Sequence, residues 1–73
     1  MEIKDKKTIL DEFIVFTKNK ILEFEIMERY LQQKTILAKS GSKMYELQLG
    51  QTQREKRELE DRLKFFESHK KEL

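Results

Sequence analysis

The chain has 73 residues, no cysteine and one histidine, which excludes a disulfide framework and the usual ligand set of a structural zinc. Charged residues make up 41% of the sequence, and sixteen basic against fourteen acidic residues give a net charge of +2 without an acidic or basic tail. A chain this short needs disulfides, a structural metal or self-association to stabilise its core. With the first two excluded, self-association remains.

The first predicted element is a long helix, helix one, from about residue 8 to about residue 39. Thr8 and Asp11 have the spacing of a capping box, with Asp in the place of the preferred Glu, and Asp5 is an alternative cap. The sequence has no proline and only two glycines, which favours uninterrupted helices.

Helix one is apolar on two sides, as a projection at about 100° per residue shows. The broader face consists of Ile9, Leu10, Phe13, Ile14, Phe16, Ile21, Phe24, Met27, Leu31 and Ala38. The second face, nearly opposite, consists of Val15, Leu22, Ile26, Tyr30 and Leu37. A helix that is apolar on two sides has to be covered on two sides, and one partner helix in the same chain cannot do this.

The next predicted element is a tight turn at residues 40–42. Gly41 can adopt the left-handed conformation that ends a helix, and Ser42 can cap the helix that follows. Helix two is predicted from about residue 43 to residue 73, and two helices of similar length joined by a short loop predict an antiparallel hairpin. Because Gly50 costs about 1 kcal/mol in a helix interior, a break of helix two at this residue is the alternative.

Helix two carries one coiled-coil-like stripe with alternating gaps of four and three residues. Its members are Tyr45, Leu49, Thr52, Lys56, Leu59, Leu63, Phe66, Lys70 and Leu73. In an antiparallel hairpin Phe66 lies opposite Phe13 and Phe16, whereas residues 50–58, opposite the middle of helix one, include no large apolar side chain. The side chains that consequently need cover from another chain are Leu22, Ile26, Met27 and Tyr30.

The predicted fold is therefore all-α. A single domain, residues 1–73, forms an antiparallel, coiled-coil-like helical hairpin that self-associates into a four-helix bundle, with a homodimer favoured. The residues predicted to form the oligomer interface are Phe13, Phe16, Leu22, Phe24, Ile26, Met27, Tyr30 and Leu31. We expect replacement of Ile26 by a charged residue to dissociate this oligomer.

Polar residues interrupt the apolar faces, among them Glu28 in helix one and Lys56 in helix two. One interpretation is that these side chains fix the pairing register, as single polar core residues do in coiled coils. The other interpretation is that both long side chains extend to solvent at the edge of the seam.

No arrangement of residues typical of catalysis is visible. His69 is the only imidazole and lies near the end of the chain, and nearly all carboxylates have a basic residue one helical turn away. Gly41 and Gly50 are too far apart to form a phosphate-binding loop. We therefore expect a non-enzymatic protein without a metal or cofactor, which acts in the cytoplasm as a protein–protein interaction module of the adaptor, chaperone or regulator type.

A small nucleic-acid-binding regulator is the alternative. Its basic face would consist of Arg54, Lys56, Arg57, Arg62 and Lys64. Acidic residues are interleaved with these five, which weakens the attraction to a phosphate backbone. The longest apolar run, residues 13–16, is far too short to span a bilayer, so no membrane role is expected. The composition is compatible with an accessory protein of a virus or plasmid.

Overall fold

The computed structural model describes residues 5–38 and 41–72, nearly all of them in two helices: α1 (Lys6–Leu37) and α2 (Ser42–Glu72). The two helices pack against each other as a hairpin, which confirms the predicted all-α hairpin. Each helix begins and ends within about two residues of the expected bounds, the usual uncertainty of such assignments. Lys39, Ser40 and Leu73, which belong to the predicted elements, lie outside the described residues.

Asp5, rather than Thr8, caps α1. Its backbone is extended, and its Oδ1 accepts a hydrogen bond of 2.7 Å from the backbone N–H of Thr8. This bond satisfies one of the amide groups that the first turn of a helix leaves without a partner. It also lowers the pKa of Asp5, because it stabilises the ionised carboxylate.

Gly41 occupies the left-handed region expected at the turn, with a φ of +78°. α1 ends before it at Leu37, and the N–H of the capping residue Ala38 donates to the carbonyl oxygen of Lys34 over 2.9 Å. α2 follows at once, and the Met44 N–H donates to the carbonyl oxygen of Gly41 over 3.2 Å. A residue with a Cβ would be strained at this φ, which explains why glycine stands at the turn.

α2 continues through Gly50 as one helix. One turn beyond Gln48, the hydroxyl of Thr52 donates to the Gln48 carbonyl oxygen over 2.8 Å. A threonine hydroxyl donates to the carbonyl oxygen four residues earlier when the threonine lies inside a continuous helix. Thr52 therefore does not cap the start of a new helix.

The two glycines predict opposite effects of the same substitution. Gly41→Ala is expected to lower the free energy of unfolding by about 1–2 kcal/mol, because alanine is strained in the left-handed region. Gly50→Ala is expected to raise it by about 1 kcal/mol, because alanine loses less backbone entropy in a helix. No described atom lies within 4 Å of a Cβ built at either glycine, so steric clashes do not complicate the comparison. Chemical denaturation at one protein concentration measures both changes, and a loss of stability at both sites would contradict the prediction.

A narrow seam holds the two helices together. On α1 and its C-cap it consists of a row of buried or half-buried residues, namely Leu10, Ile14, Thr17, Ile21, Phe24, Glu28, Leu31, Thr35 and Ala38. On α2 it consists of Ser42, Tyr45, Leu49, Thr52, Lys56, Leu59, Leu63, Phe66 and Lys70. Among the described residues, Ile14 and Leu31 are the only fully buried apolar side chains, at 8% and 4% exposure. The seam is therefore too thin to form an extensive core.

Two contacts fix the register of the hairpin. The rings of Phe13 and Phe66 stack with centroids 5.7 Å apart, which confirms the predicted pairing of these residues. Farther toward the turn, the hydroxyl of Thr52 lies 3.6 Å from the sulfur of Met27. Between these contacts, successive residues of α1 lie level with residues of α2 taken in reverse order.

The broad apolar face predicted for helix one is divided in the structure. Ile14 and Leu31 turn toward α2 and are buried, whereas Phe13, Phe16 and Met27 remain about half exposed. A single neighbouring helix covers only a stripe of the helix it packs on, so the rest of a wider apolar face stays in contact with solvent.

Candidate interaction surfaces

Six of the eight residues predicted at the oligomer interface are about half exposed or more. They are Phe13, Phe16, Leu22, Ile26, Met27 and Tyr30, with exposed fractions between 48% and 66%. The other two, Phe24 and Leu31, lie in the seam of the hairpin. α2 already covers Leu31, so this side chain holds the hairpin itself together.

One exposed apolar surface, which we call the aromatic face, lies on one side of the hairpin where α1 and α2 meet. Near the open end, Phe66 stacks on Phe13 and makes an edge contact with Phe65, with centroids 5.9 Å apart. Near the turn, the two helices form a groove that is lined by Met27, Tyr30, Leu31, Gln48, Gln51, Thr52 and Glu55. Phe13 and Met27 are about four helical turns apart and therefore lie on the same side of α1. The exposed apolar members of the face are Ile9, Phe13, Phe16, Met27 and Tyr30 of α1, and Met44 and Phe65 of α2.

The middle of the aromatic face is charged. On α1, Lys20 Nζ lies 3.4 Å from Glu23 Oε2, and the same ammonium lies 5.7 Å from the centroid of the Phe16 ring. On α2, Glu55 lines the groove, and Arg62 lies two turns farther along the same side of the helix. Glu58, seven residues before Phe65, lies on the same side, so α1 presents one acid and one base between the two apolar ends, and α2 presents two acids and one base.

A second exposed apolar surface, the outer stripe, lies on the side of α1 that faces away from α2. Its members are Val15, Leu22, Ile26 and Ile36, each more than half exposed. A shallow groove at the start of this stripe is lined by Thr8, Asp11, Glu12, Val15, Phe16 and Asn19. Tyr30, which was expected beside these residues, lies with Met27 in the groove of the aromatic face. Because the outer stripe belongs to α1 alone, it is narrower than the aromatic face.

Glu28 and Lys56 form a polar layer across the middle of the seam. Lys56 Nζ lies 2.5 Å from Glu28 Oε1, and Gln53 donates a longer bond of 3.5 Å to Glu28 Oε2. The side chains of Lys56 and Glu28 are only 23% and 14% exposed. They bond to each other across the seam instead of extending to solvent, which favours the interpretation that they fix the register.

The bond between these two side chains shifts both pKa values. The Lys56 ammonium donates to the Glu28 carboxylate and lowers the pKa of Glu28, against the opposing effect of partial burial. The same bond raises the pKa of Lys56, and the nearby carboxylates of Glu60 and Glu25 add to this effect. Both groups are consequently ionised at neutral pH.

The five basic residues of the predicted nucleic-acid face do not share one surface. Lys56 is engaged in the polar layer of the seam. Arg62 belongs to the charged middle of the aromatic face, whereas Arg57 and Lys64, seven residues apart, share another side of α2. Arg54 lies between these two sides and faces away from α1. The structure therefore groups Arg57 with Lys64 and separates the other three residues from them.

His69 extends the aromatic face toward the open end of the hairpin. Its ring stacks on Phe65 with centroids 6.0 Å apart, and its Nδ1 lies 3.8 Å from Glu72 Oε2. Across residues 5–38 and 41–72, His, Cys, Asp and Glu side chains form no group of three or more that could hold a metal ion. Neither helix, over the residues that are described, is long and apolar enough to cross a membrane.

The hairpin thus carries two exposed apolar surfaces and one polar layer in its seam. The apolar surfaces are suited to binding other helices, and the polar layer is suited to fixing the register of α1 against α2. Comparison of the chain with protein-family models, with curated proteins and with solved structures finds no match.

Proposed function

We propose that this chain is a non-enzymatic helical protein that self-associates and acts as a protein–protein interaction module of the adaptor, chaperone or regulator type in the cytoplasm. The observation that carries this proposal is the large surface of the single chain. Its accessible surface is 6371 Å² for a mass of 8.9 kDa, whereas a compact monomer of that mass exposes about 4,800 Å². The excess of about 1,500 Å² is more than one partner contributes to a standard protein–protein interface.

The thinness of the hairpin supports self-association for a second reason. The molecule measures 55 × 24 × 13 Å, so its shortest dimension is close to the diameter of one helix. Stable domains bury their apolar faces between at least two packed layers of secondary structure. A second hairpin laid on the first would supply the missing layer and complete a four-helix bundle.

The apolar surface is unevenly divided between the two helices. Among the residues that the structure describes, ten of the thirteen exposed large apolar side chains belong to α1, so α1 supplies most of the proposed binding surface. Scattered exposed apolar residues are normal, but contiguous rows indicate interaction sites. We assign the aromatic face to self-association and the outer stripe to a second, different protein.

Binding of RNA or DNA is the second candidate function. Arg57 and Lys64 belong to a row of exposed bases spaced by seven residues along α2, with Lys43 and Lys71 at its ends and Gly50 as its one interruption. A two-fold assembly would duplicate this row and could present it to a phosphate backbone. Such binding weakens steeply as salt rises, so a gel-shift series across salt concentration tests it, and no binding at low salt would remove this candidate.

The mass in solution tests the proposed self-association directly. In sedimentation equilibrium of the full chain at tens of micromolar, we expect twice the 8.9 kDa of a single copy. A folded, helical monomer that persists at millimolar concentration would contradict the proposal, because its apolar rows would then remain in water without a partner.

A further inference from the structure

The aromatic face of α1 has nearly the same pattern when it is read in either direction. Its positions, separated by four and three residues, are Ile9, Phe13, Phe16, Lys20, Glu23, Met27, Tyr30 and Lys34. We count outward from the point between Lys20 and Glu23, one position on each side at a time. The first pair of positions carries opposite charges, the second pair is Phe16 and Met27, and the third pair carries the aromatic rings of Phe13 and Tyr30. Paired antiparallel with itself about this point, the stripe places Phe16 on Met27, Phe13 on Tyr30 and Lys20 on Glu23, and only the outermost pair, Ile9 and Lys34, is unlike.

α2 supplies an independent observation at the same level of the hairpin. Phe13 lies level with Phe66, and Met27 lies near Thr52, so the point between Lys20 and Glu23 lies level with residues 56–59. Glu55 and Arg62 lie on either side of residues 56–59 on the aromatic face, and the point midway between them is about one residue from the middle of this range. A single two-fold axis at this level therefore brings Arg62 of one copy close to Glu55 of the other, just as it brings Lys20 opposite Glu23.

A parallel arrangement of two copies lacks this complementarity. A two-fold axis along the helices places α1 on α2 of the second copy, so Glu23, which lies level with residue 56, comes close to Glu55. Like charges that face each other across an interface disfavour the pairing. The charges in the middle of the aromatic face thus select the antiparallel arrangement.

We propose that two copies of the hairpin pair face to face through their aromatic faces, antiparallel about a two-fold axis at Lys20 and Glu23. α1 then packs on α1 and α2 on α2 of the second copy, which forms a four-helix bundle. Phe16 of one copy contacts Met27 of the other, and Phe13 contacts Tyr30. The inference rests on the proposed function, because it specifies the self-association proposed there. Ile26 lies outside this interface, which replaces the expectation from the sequence that a charge at Ile26 dissociates the oligomer.

Two matched substitutions on α1 test which surface is used. Phe16 and Ile26 have similar exposure, 60% and 66%, so Phe16→Asp and Ile26→Asp perturb the isolated hairpin to a similar extent. We expect Phe16→Asp to raise the dissociation constant of the dimer by at least about 30-fold, the size of a hot-spot effect. Ile26→Asp should leave the constant nearly unchanged. Sedimentation equilibrium measures both constants, with circular dichroism to compare helix content.

The possible results separate the two proposals. Dissociation by Ile26→Asp, whether or not Phe16→Asp also dissociates the dimer, would overturn the assignment to the aromatic face but keep self-association. A wild-type chain that is monomeric would overturn the proposed function instead.

Cysteine substitutions test the orientation without removing the large side chains. The described chain has no cysteine, so Ile9→Cys and Lys34→Cys each introduce a single thiol. In the antiparallel dimer Ile9 lies level with Lys34 of the second copy, and two Ile9 positions lie at opposite ends of the bundle. An oxidised mixture of the two variants should therefore form the mixed disulfide in preference to either self-disulfide. A predominance of either self-disulfide would overturn the proposal.

Discussion

Replacement of Leu31 by alanine is expected to lower the free energy of unfolding by about 2–4 kcal/mol. Leu31 is the most deeply buried apolar side chain in the described part of the chain, with 4% exposure. Its truncation removes methyl groups from the seam and leaves a cavity that α1 and α2 cannot close without disturbing the neighbouring contacts. Because small domains have total stabilities of about 5 kcal/mol, we expect the variant to be close to unfolding at room temperature.

Ile36→Ala is the matched control for this prediction. Ile36 also lies on α1 but is 82% exposed, so its truncation should change the free energy of unfolding by less than about 0.5 kcal/mol. Urea denaturation followed by circular dichroism measures both changes. The two variants have to be compared at equal protein concentration, because self-association makes apparent stability depend on concentration. Equal losses at Leu31 and Ile36 would show that the seam does not stabilise the hairpin.

The α2 side of the seam could be predicted from its apolar pattern alone, whereas the α1 side could not. α2 carries its apolar residues along one stripe and charges elsewhere, so one orientation alone buries them. α1 is apolar around most of its circumference, and its own pattern does not determine which stripe turns toward α2. Phe13 and Ile14 illustrate this, since both are apolar but only Ile14 is fully buried.

The two residues of the polar layer could also have been used to predict which residues of α1 face α2. Glu28 and Lys56 carry opposite charges and interrupt their helices at nearly equal distances from Gly41. In an antiparallel hairpin such residues lie close to level, so an ion pair between them predicts which stripe of α1 faces α2. The six exposed residues were all among those predicted at the oligomer interface. Their division between the aromatic face and the outer stripe was not predicted, because it depends on this orientation.

Replacing one member of the polar layer is expected to destabilise the hairpin more than replacing both. Glu28→Leu leaves the Lys56 ammonium partly buried without its partner, and Lys56→Met leaves the Glu28 carboxylate in the same state. The double variant removes both charges and places apolar side chains in the middle of the seam. We therefore expect each single variant to have a lower denaturation midpoint than wild type, and the double variant to equal or exceed wild type.

The ion pair between Asp11 and Lys70 provides the control for this order. It also joins α1 to α2, but its side chains are 46% and 38% exposed. Exposed pairs contribute little to stability, so Lys70→Met should change the denaturation midpoint less than Lys56→Met does. If the double variant at Glu28 and Lys56 were the least stable of the set, the charges themselves would stabilise the hairpin more than an apolar seam would.

The stability contributed by the polar layer is expected to be lost in acid. The pKa of Glu28 in the folded chain lies below its ordinary value of 4.5, so between the two values the unfolded state binds more protons than the folded state. The contribution of Glu28 is fully present above pH 4.5 and is lost as the pH falls through the lowered pKa. The pKa of Lys56 is raised above 10.5, so its contribution is present below that pH and is lost only as the pH rises through the raised value. Urea denaturation across a pH series should show a steeper loss below pH 4.5 for wild type than for the Glu28→Leu/Lys56→Met variant. Identical acid profiles would show that Glu28 does not cause the loss.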